Sequence, residues 1–217
     1  SLAVGYPLQL WSPDDSRLQN TVSFLLENCF VKGGFFQDMI HSGINPYLTL
    51  HVAQVLLRAG DGRFFDLMQA VAESASPTGQ WPEAIHPRTG GGCMGDGQHL
   101  WASAEWVMMI RNCFVREEEE SLILAAGIPA QWLNTGKEIY FGPAPTPFGD
   151  LSIFLRAEKE KIHVRWEASW REMPPRIEIR LPGHETVCPE KGVSEVMFKF
   201  VIKSHKPLIT EPSSFDL

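Results

Sequence analysis

The chain has 217 residues, 44% of them hydrophobic and 11% aromatic, which is enough for one large domain or two small ones and too apolar for global disorder. Its net charge of −7 comes from 19 basic and 26 acidic residues with no Lys/Arg-rich run, which argues against nucleic acid or an anionic membrane as partner. No apolar run nears the roughly 18 residues of a membrane span, and with no signal segment visible the compartment is left open, the cytoplasm slightly favoured.

The first half reads as helices. Ser12-Pro13 is a cap and first-turn pair for a helix over residues 14–31. Leu18, Val22, Leu25, Leu26, Cys29 and Phe30 recur at steps of three and four, so this helix has one wet face. A loop over 33–44 follows. Asn45-Pro46 then opens a helix to about residue 59 whose apolar residues run almost all the way round, the pattern of an element buried on most sides. Gly60-Asp61-Gly62 breaks it, and a third, one-sided helix follows over 63–76 on Phe64, Leu67, Met68, Val71 and Ala75. A Gly-rich loop covers 77–98. The fourth helix, 99–116, leaves little polar surface and is expected to be buried like the second, with Trp106, Met108 and Met109 in the core. The acidic run 117–120 reads as its solvated end, since acidic residues oppose the dipole there.

The alternation of one-sided and all-round helices is what the outer and inner layers of a helical toroid present, whereas a four-helix bundle gives four one-sided stripes. If successive helices are antiparallel, both long loops lie at the same end, each leading into a buried helix. From residue 121 the period becomes two. Leu151, Ile153 and Leu155 alternate with polar or outward neighbours, as do Ile162, Val164 and Trp166. Residues 158–160 form the hairpin loop between them. Ile177, Ile179 and Leu181 make another strand, and 196–202 a further one through Phe198, Phe200 and Ile202. The expected fold is therefore multi-part α+β. It consists of a partial (α/α)6 toroid of about four helices over 1–120, then a small antiparallel β domain over 121–217 with a loosely ordered tail at 207–217.

The loop from Gly79 to Trp101 carries the chemistry. It combines Trp81, Glu83, His86, Asp96, Gln98, His99 and Trp101 around a glycine turn. Sugar sites need such a set: aromatic faces stack on pyranose rings, amides and carboxylates bind hydroxyls, and a carboxylate can activate water. The stretch Trp-Pro-Glu-Ala-Ile-His-Pro-Arg-Thr-Gly, the glycine turn and Gln-His-Leu-Trp-Ala-Ser-Ala resemble the last active-site loop of the six-hairpin (α/α)6-toroid glycosidases. These include trehalases, processing α-glucosidases and the glucosidase part of glycogen-debranching enzymes. A second stretch, from Ile40 to Leu48 with Leu57-Arg58-Ala59-Gly60-Asp61 downstream, resembles the preceding inner-helix entry, although it lacks that entry's usual Trp.

The resemblance covers about the first 135 residues. It implies that Glu83 is the general base of an inverting hydrolysis and that Trp101 with Ala102-Ser103-Ala104 starts the last inner helix. It also implies a carbohydrate substrate and no cofactor. The family has twelve helices, and its general acid comes from an earlier hairpin. The chain is thus expected to be a C-terminal fragment of a glycoside hydrolase or one subunit of a split enzyme. A missing N-terminal segment or self-association would then complete it, because two greasy helices in an open arc leave an exposed apolar patch. Asp38 in the other long loop is the candidate for a second carboxylate, and His41 a candidate contact.

Plainer roles stand beside these. Glu83 would bind a hydroxyl or brace the loop, Asp96 would cap a helix, Trp81 would pack, and His41 would be a satisfied loop histidine. The site as a whole would then be a non-catalytic carbohydrate-binding module. Cys93, Asp96 and His99 are spaced as zinc ligands can be, but three glycines beside Cys93 make a loose cage, so no metal is expected. Cys29, Cys93, Cys113 and Cys188 form no CxxC pair and read as free thiols.

Overall fold

The computed structural model describes residues 2–39, 42–95, 97–133, 136–158 and 160–199. After a short 3-10 turn, Leu2–Val4, helix α1 runs over Ser16–Asn28. It starts later than Ser12-Pro13 suggests, because Asp15 is the cap: its carboxylate accepts the backbone N–H of Arg17. The loop after α1 is not irregular. It forms strands β1 (Phe30–Val31), β2 (Gly34–Gln37) and β3 (Gly43–Ile44).

Helix α2 (Pro46–Arg58) follows, and its start is over-determined. Asn45 is fully buried; its side chain accepts the Leu48 N–H at 3.0 Å and donates to Gln37 Oε1 at 3.1 Å. Thr49 Oγ1 donates to the Asn45 carbonyl at 2.7 Å and accepts the Phe35 N–H at 2.9 Å, tying the first turn to β2. Pro46 sits where its missing N–H costs nothing. Beyond the first turn, Leu50, Val52, Val55, Leu56 and Leu57 are fully buried, each worth about 1.5–3 kcal/mol of gross hydrophobic stabilisation. The all-round apolar pattern of this helix thus means what it suggested.

Helix α3 (Arg63–Glu73) packs one face on α2, and α4 (Leu100–Phe114) packs on α2 from another side. The glycine loop between them holds strands β4 (Ala84–Ile85) and β5 (Gly92–Met94). Ile44 pairs with Ile85, so the two long loops meet in one antiparallel sheet of order β1-β2-β3-β4-β5.

Helix α4 continues directly into β6 (Val115–Glu118), which pairs with β7 (Ser121–Leu124). A four-residue helix α5 (Ala130–Leu133) leads to β8 (Ile139–Thr146), β9 (Gly149–Glu158) and β10 (Lys161–Trp170). Strands β11 (Arg176–Ile179) and β12 (Glu195–Lys199) complete the described elements. The alternation read for β9 and β10 holds: Leu151, Ile153, Leu155, Ile162, Val164 and Trp166 are all buried. Residues 200–202 of the last expected strand, Lys159 of the hairpin loop and the 207–217 tail lie outside the described residues. A single apolar cluster runs from Tyr6 through α2 and α4 to Phe198.

The expected architecture, a partial (α/α)6 toroid followed by a small antiparallel β domain, is corrected by this arrangement. The chain is α+β, with about 31% helix and 31% strand among the described residues, the strands spread over three sheets. Two physical facts misled the toroid reading. The long loops, taken as connections, hold paired strands, and Glu117 and Glu118, taken as a helix end, lie in β6. Helix α4 is apolar all round without being buried all round: Leu100 is 82% exposed, Val107 65% and Met108 38%. Met109 is core as expected, whereas Met108 is not. The later sheets also depart from a purely antiparallel domain, since β11 runs parallel to β7 in the order β11-β7-β6.

The acidic run is not a helix end: Glu119 and Glu120 form an exposed turn, as its solvated reading expects, but Glu117 and Glu118 lie in β6 and are paired. Glu118 Oε1 meets Arg58 Nη2 at 2.7 Å, its other oxygen meets Arg116, and Glu117 meets Arg111 at 2.6 Å. No helix among the described residues is long and apolar enough to cross a membrane.

Candidate functional site

The short-stranded sheet brings both long loops to the N-terminal ends of α2 and α4, and the candidate residues gather there. Tyr47 in the first turn of α2 is buried; Trp101 in the first turn of α4 is 51% exposed. Their rings stack with centroids 4.3 Å apart and planes 16° off parallel. The inner ring therefore backs the outer one, and Trp101 becomes a supported plate with a face toward solvent. His99 lies beside them, its ring 5.4 Å from that of Tyr47. Its backbone N–H donates to the Trp81 carbonyl at 2.8 Å, closing the loop on itself.

Glu83, half-buried, immediately precedes β4. A Cβ built on Gly95 would stand 3.0 Å from Glu83 Cβ and 3.4 Å from Oε2, so the glutamate lies against bare backbone. The Tyr47 phenol is pushed above its ordinary pKa, first by burial and also by the nearby Glu83 charge, while a hydrogen bond with Asn45 pulls the other way.

The other sequence candidates divide. Trp81 is buried against Trp106, and its indole N–H donates to the Val71 carbonyl at 2.8 Å, so it anchors the loop from within. His86 braces the β4–β5 turn: its ring nitrogen accepts the N–H groups of Arg88 and Thr89 at 3.2 and 3.3 Å. Gln98 is exposed next to His99. Asp38 is exposed in the β2–β3 turn, 3.5 Å from the Ser42 hydroxyl. His41 and Asp96 lie outside the described residues. So does one ligand of the zinc reading, and among the described residues no three His, Cys, Asp or Glu side chains are placed to share a metal.

Sequence reading missed the layer beneath the plate. His51, one turn after Tyr47, faces Glu105, one turn after Trp101, with Nε2 3.2 Å from Oε1. The Tyr6 ring packs edge-on against His51 at 5.6 Å, and its phenol is held well above the usual range, chiefly by burial and then by the Glu105 charge. Glu105 is nearly buried, and its Oε2 has no hydrogen-bond partner among the described residues. The signal for this layer was present: Tyr47/His51 and Trp101/Glu105 are both i,i+4 pairs, which lie on one helix face. Nothing local said that the two faces meet.

Chemically, the arrangement offers a supported aromatic plate for the apolar face of a ring, a flanking polar group at Gln98, and one carboxylate able to accept a hydroxyl hydrogen bond or take a proton from water, whereas His99 Nε2 is buried. No protein-family model, curated protein or solved structure matches the chain.

The Glu83 packing makes a prediction. Gly90 and Gly95 both have φ of +70°, but a Cβ on Gly90 meets nothing within 4 Å. Gly90→Ala should cost only the left-handed backbone penalty, about 1–2 kcal/mol. Gly95→Ala should cost more, because it must also displace Glu83. Equal losses in denaturant titrations would show that Glu83 does not rest on Gly95.

Proposed function

We propose that this chain binds oligosaccharides across Trp101 and that Glu83 is the general base of a glycoside hydrolase acting on O-glycosidic bonds. The observation that carries the proposal is the Tyr47–Trp101 stack, with Glu83 just before β4, the strand that pairs with β3 at the entry to α2. A half-exposed tryptophan backed by a second ring suits a pyranose face, because the plate is already ordered before the sugar arrives. The likeness of the 79–101 loop to the glycosidases adds the role of Glu83. Inverting hydrolysis needs a second carboxyl roughly 6.5–9.5 Å from the base, leaving room for the attacking water.

A second reading, a saccharide-binding module without turnover, is favoured by one fact. Glu105, the buried carboxylate beneath the plate, is already engaged by His51 and lies beside Tyr6. Calorimetry and hydrolysis assays over a panel of α- and β-linked glucosides separate the two. Glu83→Gln is expected to abolish turnover and leave binding within a few-fold. Trp101→Ala is expected to weaken binding roughly tenfold. Binding without turnover in the unaltered chain selects the module, and no binding across the panel refutes both readings.

Beyond Trp101, Leu100, Val107 and Met108 are exposed apolar side chains on α4. This supports self-association, with a second copy covering that face. Sedimentation velocity should show a concentration-dependent dimer that Val107→Glu dissociates. A strictly monomeric species at all concentrations would refute it.

A further inference from the structure

Strand β10 is covered unequally on its two edges. It pairs with β9 over its whole length, Lys161–Trp170, whereas β12 covers only residues 161–165 of the other edge. One further bond, from the Trp166 N–H to the Ser194 carbonyl at 2.9 Å, ends that ladder. The cause is local. The Val193 N–H donates to the Glu190 carbonyl in a turn, and Gly192 within it has a φ of +89°. The chain leading into β12 therefore joins the edge only at Ser194.

The two ladders also decide which backbone groups face the gap. Trp166 bonds toward β12, and Arg171 bonds toward β9, its N–H donating to the Phe148 carbonyl at 2.9 Å. Successive residues of a strand direct their N–H and C=O groups to opposite edges. Ala168 and Trp170 thus direct theirs to the uncovered edge, where none of the four has a partner among the described residues. A cleft of about 650 Å³ lies along this edge. Its lining includes buried Trp166 and Ile177, half-buried Trp170, and Pro174, Pro175 and Pro189. The prolines carry no N–H, so the flanking segments cannot donate to the edge at those positions. Glu167 and Glu190 balance Arg176 and Lys191 in the lining, so charge selects neither an anion nor a cation.

We propose that this cleft binds an extended peptide segment of a partner protein, which adds to β10 as a strand beside Ala168 and Trp170. What the edge offers fixes the occupant. Two donors and two acceptors repeat at the two-residue period of a strand, roughly 6.6–6.8 Å, and another extended backbone matches that row. Open sheet edges are templates for such pairing. The tryptophans, Ile177 and the prolines then give every second side chain of the peptide an apolar wall.

Calorimetry on the full chain with capped five-residue peptides that alternate Thr with Val, Ile, Leu or Tyr tests this. At least one is expected to bind, with shifts in the Ala168 and Trp170 amide resonances. That peptide is then N-methylated at alternate residues, in each of the two registers. One register should bind about tenfold more weakly, because it loses the bonds to β10, and the other should bind nearly as before. Ala168→Pro removes an edge donor and no bond to β9, and it should weaken binding similarly. A melting curve like that of the unaltered chain shows that this variant is folded, and the N-methyl comparison stands without it. No binding by any peptide would mean that the edge is left to solvent or filled by this chain or a second copy. That result, equal affinity for the two registers, unmoved Ala168 and Trp170 amides, or unaltered binding by a folded Ala168→Pro chain would each overturn the proposal.

Discussion

The burial of helix α2 is the constraint on which the rest of the structure depends. From Asn45 to Arg58 nearly every side chain is removed from water, and α3, α4, the N-terminal turn and β2 all pack on it. A helix so placed cannot satisfy its ends with solvent, so its caps must be built in. At the start, Asn45 and Thr49 do this, and in doing so fix β2 to the helix. At the end, the Gly60 and Asp61 N–H groups donate to the Leu57 and Leu56 carbonyls, while Arg58 donates to the Gly5 and Trp11 carbonyls and pairs with Glu118 on β6. The same buried guanidinium therefore ties the N-terminal segment, the central helix and the second sheet together.

The candidate site and the ion-pair cluster are consequences of those two ends. At the N-terminal end, Tyr47 and His51 project from α2 toward the Trp101 and Glu105 face of α4, and a column of rings results with His51 Nε2 3.2 Å from Glu105 Oε1. The short-stranded sheet then places Glu83 beside that column, since β4 pairs with β3 immediately before Asn45. At the C-terminal end, the need to neutralise Arg58 draws in Glu118, and Arg116 follows it on the same strand. One helix thus separates an aromatic, carboxylate-bearing surface from a cluster of paired arginines and glutamates.

What the sequence revealed depended on how local the cause was. The Asn45-Pro46 start, the burial of α2 and the alternation of β9 and β10 follow from neighbours in the chain, and all were legible. Trp101, His99 and Glu83 were legible as a group because one loop carries them. Helix α4 shows the limit. Its composition matches that of α2, yet Leu100 and Val107 face outward, because composition records what a helix could bury and not what is there to cover it. The acidic run misled for a related reason. Glu118 looks solvated beside three other glutamates, and its partner Arg58 lies 60 residues earlier. Tyr6 and Glu105 were out of reach in the same way, since each gains its role only where separate elements meet.

Native-state hydrogen exchange along α2 tests the central claim most directly. If the whole structure is built on this helix, the amides of Val52, Val55 and Leu56 will be among the slowest in the chain and will exchange only through global unfolding. Exchange of those amides through a local opening, while the β9–β10 pair stays protected, would show that the fold stands without it.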